Sequence, residues 1–337
     1  MTDNPSRTNV YESIAVVGGG AWGTALALVA AGAGRKTLLW ARESEVVDSI
    51  NRSHENTRFL RGVALSDSIR ATGDLGEAAS AEALLIVVPA QHLRATLTVL
   101  APLVGPETPL MLCAKGIERG TGALPTEILA DIVPKAQPAI LSGPSFARDV
   151  ALGLPTAVTV AARLDVAQAL QASLAHAQFR PYASDDIVGV ALGGAAKNVY
   201  AIGCGVVDGL GLGESARAAL LARSFAELTR LGEALGARAE TLMGLSGLGD
   251  LVLTATSASS RNFAFGLGLG QGIPLETLHA PGAPLAEGTE TAPALVARAR
   301  RHGVELPIAE TVAAVLDGSL PAAAAVERLM RRPLRPE

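Results

Sequence analysis

Lys197 is the only charged residue in the 21-residue stretch between Asp186 and Asp208, which otherwise holds Ile, Val, Ala, Leu, Gly, Tyr, Cys and one Asn. An ammonium taken out of water without a partner costs several kcal/mol, or gives up its proton. Lysines held in such surroundings are suited to donate and accept protons. The alternative is a buried ion pair with no part in chemistry.

Three other segments carry chemically useful groups. Lys115 follows the apolar run Leu110–Cys113 in Ala-Lys-Gly-Ile-Glu, residues 114–118. Gly143 and Ser145 belong to Ser-Gly-Pro-Ser-Phe-Ala, 142–147, a stiff turn offering backbone amides and a hydroxyl. Ser260, Arg261 and Asn262 open a predicted helix, where exposed amides, a guanidinium and an amide suit a phosphate or another oxyanion. An N-cap serine beside a solvated arginine is the alternative there. Of the 28 lysines and arginines only four are lysines (36, 115, 135 and 197), and two of those four stand in these segments. Arginine keeps its proton at accessible pH. Where proton transfer matters, it cannot replace lysine.

The apolar run Ile14–Val17 leads straight into Gly-Gly-Gly-Ala-Trp-Gly, 18–23, and then a helical pattern. Gly18, Gly20 and Gly23 match the G-x-G-x-x-G spacing that lets a strand turn tightly, a pyrophosphate approach the backbone, and the helix start pack on the strand. This predicts dinucleotide binding; a glycine-rich turn without a ligand is the alternative. Trp22 either stacks on the cofactor or fills a gap under the helix. The next predicted strand, Thr37–Trp40, is followed by Arg42 and Glu43. Arg42 suits a ribose 2′-phosphate and favours NADP(H), whereas Glu43 keeps NAD(H) open. NADP(H) is the expected preference.

These groups need a frame. Short apolar runs alternate with helical patterns over the first half, which predicts a mostly parallel sheet flanked by helices. The predicted strands are Ile14–Val17, Thr37–Trp40, Leu84–Val88, Leu110–Cys113, Ala139–Leu141, Ala157–Val160 and Phe179–Tyr182. After Ser184 the patterns are helical throughout: Asp186–Val207, Ser215–Leu235, Leu242–Leu253, Arg261–Leu269, Ala292–Arg301, Ile308–Leu316 and Pro321–Met330. The division is expected at 1–188 and 189–337. With aromatics at 3%, the cores must be built from small aliphatic side chains.

The net charge of −4 is mild and interspersed, which argues against nucleic acid or an anionic membrane as partner. Cys113 and Cys204 suggest no disulfide framework, and the histidines at 54, 92, 176, 279 and 302 show no metal-ligand spacing. No metal is expected. Residues 1–12 lack a charged start followed by an apolar run, so no signal peptide is read there. The stretch around Lys197 is long enough to span a bilayer, but a central Lys and Asn and five glycines favour a buried helix over an integral membrane segment. A cytoplasmic protein is expected.

Together GGGAWGTAL, VVPAQHLR (87–94), AKGIE, LSGPSFA, AAKNVYAIGCG (195–205), GLGDLVLTATSASSRN (247–262) and AEGTET (286–291) resemble the bacterial NAD(P)-dependent glycerol-3-phosphate dehydrogenases, in order, over residues 13–330. The resemblance implies an α/β N-terminal Rossmann-type domain followed by an all-α C-terminal domain. It implies reversible reduction of dihydroxyacetone phosphate for glycerophospholipid synthesis, by a homodimer. Carried over by motif, Lys197 is the proton donor and acceptor, Asp250 orients it or offsets its charge, and Lys115, Gly143 and Ser145 contact substrate. Asp250 and Thr254 line the reacting end, and Ser260, Arg261 and Asn262 hold the phosphate. Gly18, Gly20, Ala21, Trp22, Gly23, Arg42, Lys115, Ala147, Arg261, Leu285 and Glu287 face the cofactor. Ala21 replaces a frequent serine, and Ala90 stands where VPS is commoner; neither removes a reacting group. The rivals are a ketopantoate reductase or hydroxyacid dehydrogenase, which gives no reason for a Ser-Arg-Asn helix start, and a non-catalytic dinucleotide sensor.

Overall fold

The computed structural model describes residues 9–333. Most of the stretch read for a signal peptide, residues 1–12, lies outside them. The described chain forms two compact units: residues through Ala114 with Thr126–Ile187, and Lys115–Pro125 with the chain from Val188 onward.

The first unit is built on eight strands, β1 (Ser13–Val17), β2 (Lys36–Trp40), β3 (Ile69–Thr72), β4 (Ala83–Ile86), β5 (Pro109–Leu112), β6 (Gln137–Ser142), β7 (Thr156–Ala162) and β8 (Phe179–Ser184). Their order is β3-β2-β1-β4-β5-β6-β7-β8, and every pairing is parallel except β6 with β7. The mostly parallel sheet expected from the alternation is therefore present. Its centre is continuous aliphatic sequence because helices cover both faces; Ala83, Leu84, Leu85 and Ile86 of β4 are all fully buried. The order reverses between β1 and β4. Such a reversal opens a crevice at the strands' carboxyl ends, where ligands bind in open sheets of this kind.

Several elements differ from those the sequence pattern predicts. β3 (Ile-Arg-Ala-Thr) was not anticipated: it is four residues long with Arg70 turned outward, too short and polar to stand out as an apolar run. The strand expected at Leu84–Val88 closes at Ile86, and the one expected at Leu110–Cys113 closes at Leu112. The single helix expected over Leu242–Leu253 is three pieces: an α-helix at Ala239–Met243, a π-turn at Leu245–Gly249 and an α-helix at Asp250–Ala255.

The second unit is helical around the long helix Ile187–Gly209, which is buried from Gly189 to Val207. By length and composition it could cross a membrane, but 89% of its apolar window is covered by the rest of the protein. Its glycines set how closely neighbours approach. A Cβ at Gly205 would lie 2.1 Å from Phe263 O, and one at Gly266, on the helix Arg261–Gly270, would lie 2.0 Å from Ile202 O. The two backbones thus cross in direct contact. A Cβ at Gly193 would meet Ser246 O at 2.6 Å, so the π-turn also rests on the long helix. That contact delivers Asp250, the residue after the π-turn, beside Lys197 one helical turn beyond Gly193.

Candidate active site

The first unit carries the glycine loop at the sheet's switch point. Gly18 has φ +133, and a Cβ there would sit 2.3 Å from Val87 O. A Cβ at Gly23 would overlap Gly18 O at 1.8 Å, so the helix Ala21–Gly32 starts hard against the strand end. At Gly20, by contrast, a Cβ would meet nothing within 4 Å, and the backbone is open to a ligand. No side chain caps this helix start, and Ala21, without a hydroxyl, leaves it so. Trp22 Nε1 is buried without a hydrogen-bond acceptor. An uncapped helix start, an open glycine and an orphaned donor fit the phosphate end of a dinucleotide.

Arg42 lies two residues past β2, is largely exposed, and pairs with Glu43 Oε1 at 2.9 Å. The two side chains that bear on cofactor choice therefore bind each other. Gly143 has φ +143, and a Cβ there would lie 2.9 Å from Val158 Cα. Ser145 Oγ donates to Gly143 O at 3.0 Å, closing the turn after β6, and Ala147 opens the short helix Ala147–Ala151.

The second unit gathers the amines. Lys197 Nζ donates to Asp250 Oδ1 and to Thr254 Oγ1, both at 2.7 Å. Lys115 Nζ donates to the other carboxylate oxygen, Oδ2, also at 2.7 Å. Asp250 is 1% exposed, Lys197 9% and Lys115 13% by side chain, so one buried carboxylate serves two ammonium groups. Burial pushes the Lys197 ammonium down to about 8; Asp250 opposes that shift and the like charge of Lys115 adds to it. Burial alone would raise the Asp250 carboxyl, but the two ammoniums outweigh it and hold it below the usual range. An amine that titrates near neutrality in a dry site is suited to general acid–base work.

A chain of amides runs beneath this cluster. Asn198 Nδ2 donates to Lys115 O at 2.7 Å, Asn262 Nδ2 donates to Asn198 Oδ1 at 2.9 Å, and Gly288 N–H donates to Asn262 Oδ1 at 2.9 Å. Asn198 was not singled out from the sequence. Its signal was present: the only amide in the apolar stretch directly follows the only charge. Of the three residues at the anion-suited helix start, Ser260 caps the helix by accepting from Phe263 N–H at 3.2 Å. Asn262 is engaged at both ends of its amide. Arg261 is exposed and forms no ion pair among the described residues. Leu285 is 47% exposed, and Glu287 immediately precedes the helix Gly288–Arg301.

Within each unit the structure brings together residues far apart in sequence: Lys115, Lys197, Asp250 and Thr254 in the second, and the glycine loop with Arg42 on adjacent strand ends in the first. A glycine loop at the switch point of a parallel sheet, carried with a buried lysine–carboxylate–lysine cluster in a helical unit, defines a dinucleotide-dependent dehydrogenase. The comparisons name the family. Residues 13–167 match the model of the NAD-dependent glycerol-3-phosphate dehydrogenase N-terminus, and residues 186–327 match that of its C-terminus. The glycerol-3-phosphate dehydrogenase of Parvibaculum lavamentivorans, named for NAD(P)+, is 57% identical over 98% of this chain and 99% of its own. The crystal structure of the Coxiella burnetii glycerol-3-phosphate dehydrogenase superposes with a TM-score of 0.91 at 38% identity, covering 96% of this chain and 99% of that one. The chain belongs to the NAD-dependent glycerol-3-phosphate dehydrogenase family. A ketopantoate reductase from Ralstonia eutropha, at 13% identity and a TM-score of 0.60, shares the fold alone.

Proposed function

We propose that this chain catalyses the reversible NAD(P)H-dependent reduction of dihydroxyacetone phosphate to sn-glycerol 3-phosphate, supplying glycerophospholipid synthesis in the cytoplasm. The observation that carries the reading is the Lys197–Asp250–Lys115 cluster, with an amine in a dry site whose pKa is about 8.

When bound, the nicotinamide supplies hydride to the ketone carbon. Lys197, as an ammonium, stabilises the negative charge that develops on the ketone oxygen and then protonates it. In the other direction neutral Lys197 takes the alcohol proton. Asp250 holds the amine in place with help from Thr254, and Lys115 brings a second positive charge for the substrate. Gly143 and Ser145 are further substrate contacts in this reading. Gly18, Gly20, Ala21, Trp22 and Gly23 hold the pyrophosphate end of the cofactor, and Arg42, Lys115, Ala147, Arg261, Leu285 and Glu287 are its other contacts in this reading.

Arg261 is the phosphate anchor in this reading, with Ser260 and Asn262 beside it, because an exposed guanidinium with no ion pair among the described residues, at a helix start, suits an anion. Arg261→Ala is expected to raise KM for dihydroxyacetone phosphate at least tenfold, about the worth of one charge-assisted hydrogen bond. An unchanged KM in steady-state kinetics counts against the anchor. NADP(H) is the preferred cofactor, through Arg42. In Arg42→Ala the ratio of kcat/KM for NADPH over NADH should fall, and an unmoved ratio removes Arg42 from the argument.

The protein acts as a homodimer. Support comes from an open cavity of about 830 Å³ in the second unit, where Leu212, Leu220, Ile308 and Val312 line one part and Arg223 and Arg230 another. Of the apolar residues Leu212 is exposed, and that edge is the apolar surface a second copy would bury. The whole reading is tested by mixing the protein with dihydroxyacetone phosphate and NADPH and following nicotinamide absorbance. Absence of consumption, or equal turnover with a ketoacid, would refute it.

A further inference from the structure

Lys115 is the first residue of an 11-residue excursion, Lys115–Pro125, that belongs with the second unit although it is flanked by first-unit sequence on both sides. The excursion is a closed turn. Glu118 N–H donates to Ala123 O and Gly122 N–H to Glu118 O, both at 2.9 Å, and Thr121 Oγ1 donates to Glu118 Oε2 at 2.6 Å. Its root is held by Asn198, which donates to Lys115 O. Its tip is held by the helix Gly288–Arg301. Arg298 Nη1 donates to Gly122 O and Arg301 Nη1 to Thr121 O, each at 2.9 Å, and Arg119 pairs with Glu290 at 3.0 Å. Residues 298 and 301 share one helix face at i, i+3 spacing. Gly122 has φ +72, and a Cβ there would lie 2.9 Å from Arg301 Nη2, so the guanidinium sits directly on the loop backbone.

We propose that Arg298, seconded by Arg301, is a positioning residue for Lys115: it clamps the tip of the 115–125 loop, Asn198 holds the root, and Lys115 Nζ is thereby kept on Asp250. The clamp rests on the reading of Lys115, Asp250 and Lys197 as the reacting cluster. Its consequence is electrostatic. The groups acting on the Lys197 amine are Asp250 and Glu287, which favour its charged form, and Lys115, which disfavours it. When the loop loosens, Lys197 loses a like charge and gains an undivided carboxylate. Both changes make it harder to deprotonate, so the pH above which ketone reduction fails moves upward.

The test measures kcat, KM and the pH dependence of kcat/KM for Arg298→Ala, Arg298→Lys and Arg301→Ala, with Lys115→Met in parallel. Arg298→Ala should lower kcat roughly tenfold or more, the scale on which small misplacements of reacting groups act, and move the high-pH limb upward. Arg298→Lys, which retains the positive charge and a donor on a somewhat shorter side chain, should recover part of the loss, and Arg301→Ala should show a smaller version of it. Wild-type kcat and an unmoved limb in Arg298→Ala, whatever its melting temperature, would overturn the clamp. If that variant fails to fold, Arg301→Ala and Arg298→Lys decide the matter on the same two readouts. Should Lys115→Met itself turn over normally with an unmoved limb, the reading of the cluster fails. If it shifts the limb while the arginine variants do not, only the clamp fails.

Discussion

Replacing Lys197 by methionine is expected to cut kcat more than about 100-fold, the low end of what a positioned acid–base group contributes, with cofactor affinity near that of the unchanged protein. The substitution keeps an unbranched four-atom stem and removes the amine, so the packing of the long helix around residue 197 is largely preserved. Asp250 retains Lys115 as partner and is not left as an unpaired buried charge. A buried ion pair replaced by an apolar side chain of similar volume is commonly neutral or stabilising. Loss of turnover in a well-folded protein therefore reports the missing proton donor. Turnover like that of the original protein would remove Lys197 from the mechanism and return it to the alternative of a structural ion pair.

Asp250→Asn should have the second large effect, and through a different route. The amide keeps the shape of the carboxylate but removes the negative charge that both nearly buried ammoniums bond directly. Removing one member of a buried charge cluster typically costs about 3–5 kcal/mol, which thermal or denaturant unfolding would detect. The surviving lysines relieve their repulsion by losing a proton. The Lys197 pKa, already depressed to about 8, must then fall further. At neutral pH little ammonium remains to protonate the ketone oxygen, so reduction collapses, and it partly recovers as pH is lowered and the ammonium re-forms. Equal activity at pH 7 and unchanged stability in this variant would contradict the role given to Asp250.

What was legible in the chain was what is local. The glycine spacing of 18–23 follows a strand, so its turn and helix start could be read without tertiary information. A lone lysine in an apolar helix announces its own cost. The Ser-Arg-Asn start was correctly placed on a helix, but its members divide: Ser260 spends its hydroxyl on the cap and Asn262 its amide on a network. What was not legible depends on through-space contact. The π-turn before Asp250 arises where Gly193 and Gly247 let backbones touch; a Cβ at Gly247 would lie 1.9 Å from Leu242 O, and sequence periodicity over Leu242–Leu253 reads straight through it. β3 is too short to register. The allegiance of Lys115–Pro125 to the helical unit is set by Asn198, Arg298 and Arg301, more than 80 residues away in sequence. The apolar pattern of the preceding strand carries no trace of that allegiance.

The most direct test of the central claim, that one amine gives and takes the reacting proton, is the pH dependence of kcat/KM measured in both directions on the unchanged protein. This quantity reports groups of the free enzyme, and Lys197 there changes charge at about 8. Ketone reduction needs the ammonium and should decline as pH rises through that value, whereas alcohol oxidation needs the neutral amine and should climb to a plateau above it. Mirror-image limbs with one shared midpoint are the predicted result. Two limbs running the same way, or profiles flat through that region, would contradict it.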